Sequence, residues 1–173
     1  MQKILVVSHC ILNTCSKVIS YNEAEQKDEA RHRRNLLEYV LKKDIQMIQL
    51  PCPEFIMYGT KRWGHVRDQF DNPFFRKQCR QMLEPIVLQL KEYAANPERF
   101  WLEGIVAIDY SPSCGYHVTC KGDWGGELNG CTGLKQKLET LVTVPEPGVF
   151  MEELNNLLEE AKLMVPILDL SSF

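Results

Sequence analysis

The sequence predicts a single α/β domain over residues 1–173, built as a Rossmann-like open parallel sheet with helices on both faces. Short apolar runs, typical of strands buried on both faces, alternate with longer amphipathic segments typical of helices. An apolar content of 45% is enough for one core, and no repeat, low-complexity tract or linker divides the chain. Three of the predicted strands end in a polar loop that carries a cysteine.

The elements follow from apolar spacing and from residues that start or stop helices. Strands are expected at residues 3–7, 45–50, 104–108, 141–144 and 165–170, and helices at about 28–43, 74–93, 133–138 and 151–161. The expected strand order is 2-1-3-4-5. Pro85 predicts a kink in the second helix, and Pro166 places the last strand at the sheet edge. Residues 55–72 are predicted to form one long loop, either a lid or a surface excursion.

Charge and cysteine content narrow the function classes. A formal net charge of −3 gives no reason to expect a nucleic acid polymer or an anionic membrane surface as partner. No apolar run reaches membrane length, and the run after Met1 is too short for a signal peptide, so we expect a cytoplasmic protein. In that reducing compartment, seven cysteines indicate metal binding or catalysis rather than disulfides. The sequence does not indicate the oligomeric state.

Cys10, Cys52 and Cys114 each follow a predicted strand. Ligands of open parallel sheets bind outside the carboxyl ends of the strands, so the three thiols are expected at one edge. Neighbouring strands are about 4.8 Å apart, so short loops can bring three sulfurs around one inorganic centre. Thiolates favour zinc, copper(I) or iron–sulfur clusters. Three widely separated cysteines fit a cluster with one open iron better than a zinc site with paired ligands, although spacing alone leaves the centre open.

Three motifs carry a resemblance to a known family: Ser8-x-Cys10, Cys52-Pro53-Glu54 and Ser111-Pro112-Ser113-Cys114-Gly115. In this order they resemble the small desulfurases that include thiouracil desulfurase. The similarity extends over most of the chain, including the segments 129–133 and 141–146. The segment after Cys10 and the aromatic loop after Cys52 differ from the family pattern, so thiouracil itself is not assumed as the substrate.

The resemblance implies a 4Fe-4S cluster held by Cys10, Cys52 and Cys114, with the fourth iron open to the substrate's sulfur. The implied activity is that of a desulfurase, or desulfidase, which removes sulfur from a small thiolated compound, a thiouracil-like base or nucleoside, without net redox change. Glu54, assisted by Ser111 or Ser113, is expected to activate a water that attacks the carbon. The sulfur then leaves as hydrosulfide. Ser8 is expected to bind the substrate.

Two alternatives come from other function classes. An iron–sulfur electron-transfer or sensor protein would need neither an open iron nor Glu54. A zinc-binding structural module would need no substrate site. Of the other cysteines, Cys79 lies on a helical apolar stripe and is predicted to be a core residue. Cys15 and Cys120 are predicted to be small loop residues, with the role of persulfide carrier or spare ligand as the alternative, and Cys131 is predicted to be structural.

Overall fold

The computed structural model describes all residues, 1–173. The strands are β1 (Gln2–Val7), β2 (Ile45–Gln49), β3 (Phe100–Ala107), β4 (Thr119–Lys121), β5 (Val142–Val144) and β6 (Ile167–Asp169). The helices are α1 (His9–Leu12), α2 (Glu23–Lys42), α3 (Pro53–Tyr58), α4 (Arg67–Phe70), α5 (Pro73–Ala94), α6 (Leu134–Glu139) and α7 (Val149–Glu160). None of them combines the length and the apolar character that a membrane-spanning helix needs.

The main sheet is parallel, with the strand order β2-β1-β3-β6. The predicted α/β class and the adjacency of the first three strands are therefore confirmed. The predicted fourth strand of this sheet is wrong, because β5 pairs antiparallel with β4 in a separate two-stranded sheet. Residues of β5 are exposed or half-buried and lack the enclosed apolar positions of a central strand. The last strand occupies the edge beside β3, as Pro166 indicated, and the Pro166 carbonyl accepts from the Ile105 N–H at 2.8 Å.

Both faces of the sheet are covered, as predicted. Successive residues of a strand point to opposite faces. Leu5 and Val7 pack in one apolar cluster with Leu36 and Val40 of α2. Val6, with apolar residues of β3, belongs to the larger cluster on the other face, which α5 and α7 complete. The sheet is therefore buried on both faces and only its ends are open to ligands.

Two helix predictions need correction. Helix α2 begins at Glu23 rather than near residue 28, because the Asn22 side chain accepts from the Glu25 N–H and caps it. Residues 55–72 do not form one long loop, since α3 and α4 occupy eight of these eighteen residues and leave 59–66 and 71–72 irregular. Helix α5 continues through Pro85, so this proline does not end the helix. Cys79 is fully buried in the larger cluster, which confirms its core position.

Candidate functional site

Three thiols lie at the carboxyl edge of adjacent strands. Cys10 stands in α1 directly after β1, Cys52 directly precedes α3 after β2, and Cys114 lies in the loop that follows β3. Cys52 and Cys114 are buried and Cys10 is half-buried. Because β2, β1 and β3 are neighbours, the three loops meet at one end of the sheet.

The thiols are close enough to influence each other's ionisation. Burial raises the pKa of the Cys10 thiol to about 12, and a negative charge on Cys52 adds to the rise. Burial also raises the pKa of Cys114 well above 9.0, and charges on Cys10 and Cys52 act in the same direction. A negative charge on Cys52 therefore disfavours ionisation of both other thiols, which places the three sulfurs in one electrostatic environment. Without a cation between them, all three stay protonated near neutral pH.

Cys52 also has a structural role at the start of α3. Its sulfur accepts from the Phe55 N–H at 3.4 Å, in the position where a serine or aspartate usually caps a helix. Pro53 occupies the first turn, where its missing N–H has no consequence. The helix start therefore fixes the direction of the Cys52 sulfur and places Glu54 one residue further along.

Glu54 is a buried carboxylate, only 8% exposed, with a partner on each oxygen. The Ser113 hydroxyl lies 2.6 Å from Oε1 and donates to it, and the Arg62 Nε–H donates to Oε2 at 3.2 Å. The same Ser113 oxygen lies 3.4 Å from the Cys114 sulfur. A hydroxyl has one proton, so Ser113 can donate to Glu54 or to the sulfur, but not to both at once. Ser113 therefore connects the acid and the thiol directly.

Ser111 extends this connection by one hydroxyl. Its Oγ accepts from the Cys114 N–H at 3.0 Å and lies 3.3 Å from the Ser113 Oγ. When the Ser113 proton is donated to Glu54, Ser111 must be the donor in the contact between the two hydroxyls. The result is a hydrogen-bonded chain from Ser111 through Ser113 to Glu54.

Ser8 is placed differently. Its side chain is buried, and both its hydroxyl and its backbone N–H donate to the Val106 carbonyl at 3.0 Å. These bonds fasten the ends of β1 and β3 together just before Cys10. The hydroxyl proton is therefore used by the backbone, and only the oxygen lone pairs of Ser8 are free to meet a ligand.

The loop that carries Cys114 rests on the amino end of α7. Three N–H groups there donate to its carbonyls: Gly148 to Gly115 at 2.8 Å, Val149 to Pro112 at 3.1 Å and Met151 to Ser113 at 3.1 Å. A Cβ at Gly148 would lie 2.5 Å from the Ser113 carbonyl carbon, so only glycine permits this approach. Gly115 is equally confined, since its Cβ would lie 2.4 Å from the Val118 oxygen.

The sequence did not identify Arg62 as a site residue. Its side chain is 4% exposed and connects three segments, because it donates to Glu54, to the Gly59 carbonyl at 2.9 Å and to the Ser16 carbonyl at 2.7 Å. In the sequence it is one of several basic residues in a polar stretch, and no spacing distinguishes it. The close approach of Gly148 to the Cys114 loop was not predicted either. The sequence signal for it was the position of this glycine directly before an apolar helix.

The other cysteines near the site do not add a fourth buried thiol to the set. Cys15 is exposed, and the half-buried Cys120 donates through sulfur to the His65 carbonyl at 3.7 Å. No three His, Cys, Asp or Glu side chains lie close enough together to bind a single metal ion. In a cluster, each thiolate binds a different iron, so its ligands do not have to converge on one point. Three thiols at one edge, two of them buried and one half-buried, are a donor set that fits a cluster of this kind.

Comparison with known proteins gives one informative similarity. No protein-family profile matches the chain, and no solved structure matches it. A protein of Methanocaldococcus jannaschii described as "Uncharacterized protein MJ0003" is 38% identical over 104 residues. The aligned stretch covers 60% of this chain and 64% of that relative, so the chain spans less than two thirds of the relative's length.

Proposed function

We propose that the protein is an iron–sulfur-dependent desulfidase that removes sulfur from a small thiolated compound, such as a thiouracil-like base or nucleoside, and releases hydrosulfide. The observation that carries the proposal is the buried Glu54–Ser113 pair, with a 2.6 Å hydrogen bond, in contact with the Cys114 thiol. Burying a carboxylate costs free energy because the charge loses its hydration, and a purely structural thiolate site does not need a buried carboxylate. Buried carboxylates that contact a specific charged partner, as Glu54 contacts Arg62, are typical of catalytic sites.

Cys10, Cys52 and Cys114 are the residues that would hold a 4Fe-4S cluster. Their type, their burial and their common edge support this assignment. Three thiolates would leave one iron of such a cluster without a protein ligand. When bound, the cluster supplies a Lewis acid with affinity for sulfur.

Glu54 would act as the general base in this reaction. Arg62 holds Oε2 while Oε1 faces the Ser111–Ser113 hydroxyl chain, so a proton can reach Oε1 directly or through Ser113. Water oxygen bonds to the substrate carbon and its proton passes to Glu54. As the carbon–oxygen double bond forms, the electrons of the C–S bond leave with sulfur, which takes up the second proton of the water and departs as hydrosulfide. Glu54 then releases the first proton to solvent. Carbon exchanges sulfur for oxygen, and no external electron donor or acceptor is needed.

The ligand assignment is tested by anaerobic purification followed by iron and sulfide analysis. Replacing Cys10, Cys52 or Cys114 singly by alanine should remove most of the iron, because each would supply one of three protein bonds. Cys79→Ala is the matched control, since it removes a buried thiol from the core and should leave the iron content unchanged. Iron lost in Cys79→Ala but kept in Cys52→Ala would overturn the ligand set. Zinc in place of iron would favour the structural module.

The catalytic assignment is tested with Glu54→Gln, which keeps the size of the side chain and removes the base. We expect full iron occupancy and a roughly 10²–10⁴-fold slower release of sulfide from a thiolated base or nucleoside. Glu139→Gln, on an exposed position of α6, is the control and should release sulfide at the wild-type rate. Unchanged release in Glu54→Gln would remove Glu54 from the mechanism. No release from the iron-loaded wild type, across a panel of thiolated bases and nucleosides, would favour the sensor alternative.

A further inference from the structure

A cavity of about 330 Å³ adjoins the Glu54 site and has no part in the chemistry described above. It lies between the irregular segment 59–66 and the glycine-containing segment 124–128. Arg62 lines it and also donates to Glu54, so the cavity begins one side chain away from the carboxylate. Its volume is at the lower end of the range for small-molecule sites, about 300–1,000 Å³.

The walls of this cavity are aromatic. Trp63 is 74% exposed and Tyr58 is 44% exposed, and the half-buried Trp124 completes the set. Single exposed apolar residues are ordinary, but a cluster around one concavity marks a binding surface. Packing fixes two of the rings before any ligand arrives. The Trp124 indole N–H donates to the Gly64 carbonyl at 3.0 Å, and Tyr58 stacks on Phe70 with ring centres 5.9 Å apart.

The cavity offers no free charge. Arg62 is the one charged side chain in its lining, and its guanidinium is already bound by Glu54 and by two backbone carbonyls. His65, which also lines the cavity, has a pKa lowered by burial and is neutral near pH 7. A phosphate or carboxylate on the ligand would therefore find no partner here. The lining favours an uncharged molecule.

Polar groups of the lining remain available, among them the Nδ1 atom of His65, which is buried without a hydrogen-bond partner, and the side-chain amide of Gln69. The Gln69 carbonyl oxygen accepts from the Val66 N–H at 3.0 Å, whereas its NH₂ group has no acceptor in the protein. Gly125 leaves this group accessible, since a Cβ there would come within 3.3 Å of the Gln69 nitrogen. A carboxamide donor beside indole rings suits a flat ring that carries a carbonyl or ring-nitrogen acceptor.

We propose that this cavity binds an uncharged, flat heteroaromatic ring, which stacks on Trp63 and Trp124 and accepts a hydrogen bond from Gln69. Rings of this class stack well on indole because both have extended π faces. That the ring belongs to the molecule that loses its sulfur rests on the proposed function. Binding of the ring itself does not.

The experiment is calorimetric titration of the full chain with ligands that contain no sulfur: uridine, adenosine, dihydrouridine and uridine 5′-monophosphate. At least one of the two aromatic nucleosides should bind. Dihydrouridine keeps the polar groups of uridine but loses the flat aromatic ring, so it should bind more weakly than uridine. The monophosphate should bind no more tightly than uridine, because no free cation lines the cavity.

The variants Trp63→Ala and Trp124→Ala should each weaken nucleoside binding by roughly 5- to 150-fold, the loss typical of removing one stacking ring. Trp101→Ala is the control, since this tryptophan lies on β3, is also exposed and does not line the cavity. Trp63 is largely exposed, so its replacement should not unfold the protein, and unfolding midpoints verify this. Failure of both nucleosides to bind, or equal affinity of Trp63→Ala and Trp101→Ala, overturns the proposal.

The outcome is separable from the proposed function. A protein that binds nucleosides through Trp63 but releases no sulfide would leave the cavity assignment standing and refute the desulfidase. A protein that releases sulfide at the same rate in Trp63→Ala and Trp124→Ala, with no nucleoside affinity, would refute only the cavity assignment.

Discussion

Replacing Gly148 by alanine perturbs the Cys114 loop without touching a proposed ligand or base. The new Cβ would lie 2.5 Å from the carbonyl carbon and 2.6 Å from the oxygen of Ser113, and 2.9 Å from the Pro112 carbonyl carbon. All three are backbone atoms, so no flexible side chain can turn aside. Helix α7 or the loop must therefore move.

The expected loss of stability follows from these contacts. Overpacking a well-packed site typically costs about 1–3 kcal/mol. Retreat of α7 also weakens hydrogen bonds to the loop carbonyls, each contributing about 0.5–1.5 kcal/mol. The lower chain entropy of alanine in the unfolded state offsets about 0.4–1 kcal/mol. We expect the free energy of unfolding to fall by about 2–4 kcal/mol.

Urea unfolding of the protein in the presence of an iron chelator measures this loss. Gly133→Ala is the control, because Gly133 has φ −101° and a Cβ there would meet nothing closer than 3.7 Å. That variant should stay within about 1 kcal/mol of wild type. Equal unfolding free energies for the two variants would refute the reasoning that the approach of α7 to the loop requires glycine. In addition, Gly148→Ala should bind less iron than Gly133→Ala if Cys114 is a ligand.

Two further predictions concern pH and oxygen. Burial raises the pKa of Cys79 from 9.0 to about 12, so the folded protein keeps this proton while the unfolded chain loses it above about pH 9. The contribution of Cys79 to the free energy of unfolding is fully present below pH 9 and is lost by up to about 1.4 kcal/mol per pH unit towards pH 12. In urea unfolding at increasing pH, the free energy of unfolding should therefore fall less steeply for Cys79→Ala than for wild type. Parallel curves for the two proteins would contradict this. If the protein binds the proposed 4Fe-4S cluster, with one iron that lacks a protein thiolate, brief exposure to air should convert this cluster to a three-iron form visible by electron paramagnetic resonance. A cluster that survives long exposure would indicate a fourth protein ligand, with the exposed Cys15 as first candidate.

The sequence was a sound guide to the central sheet. β1 and the second half of β3 are apolar runs that are buried on both faces, so their own composition identifies them. The composition of a strand does not determine which strand it pairs with. Residues 142–144 have the composition of a strand, but whether they join the parallel sheet depends on β4, a three-residue segment without a distinctive pattern.

The site was predicted less completely. The position of Cys52, Glu54 and Cys114 at one sheet edge follows from their placement after strands. Helix α3 was missed because a cysteine is an unusual helix cap, so the start signal before Pro53 was not recognisable. Arg62 was missed because its three acceptors come from three separate segments, and only the folded chain brings them together.

The support that α7 gives to the Cys114 loop has a consequence for biosynthesis. The carbonyls of Pro112, Ser113 and Gly115 find their donors in residues 148–151, which the ribosome makes more than thirty residues later. The nascent chain can therefore pair β1, β2 and β3 while the third thiol still lies on an unsupported segment. If Cys114 is a cluster ligand as proposed, the cluster can be completed only after α7 has been made, and a chain truncated before Gly148 should bind no iron.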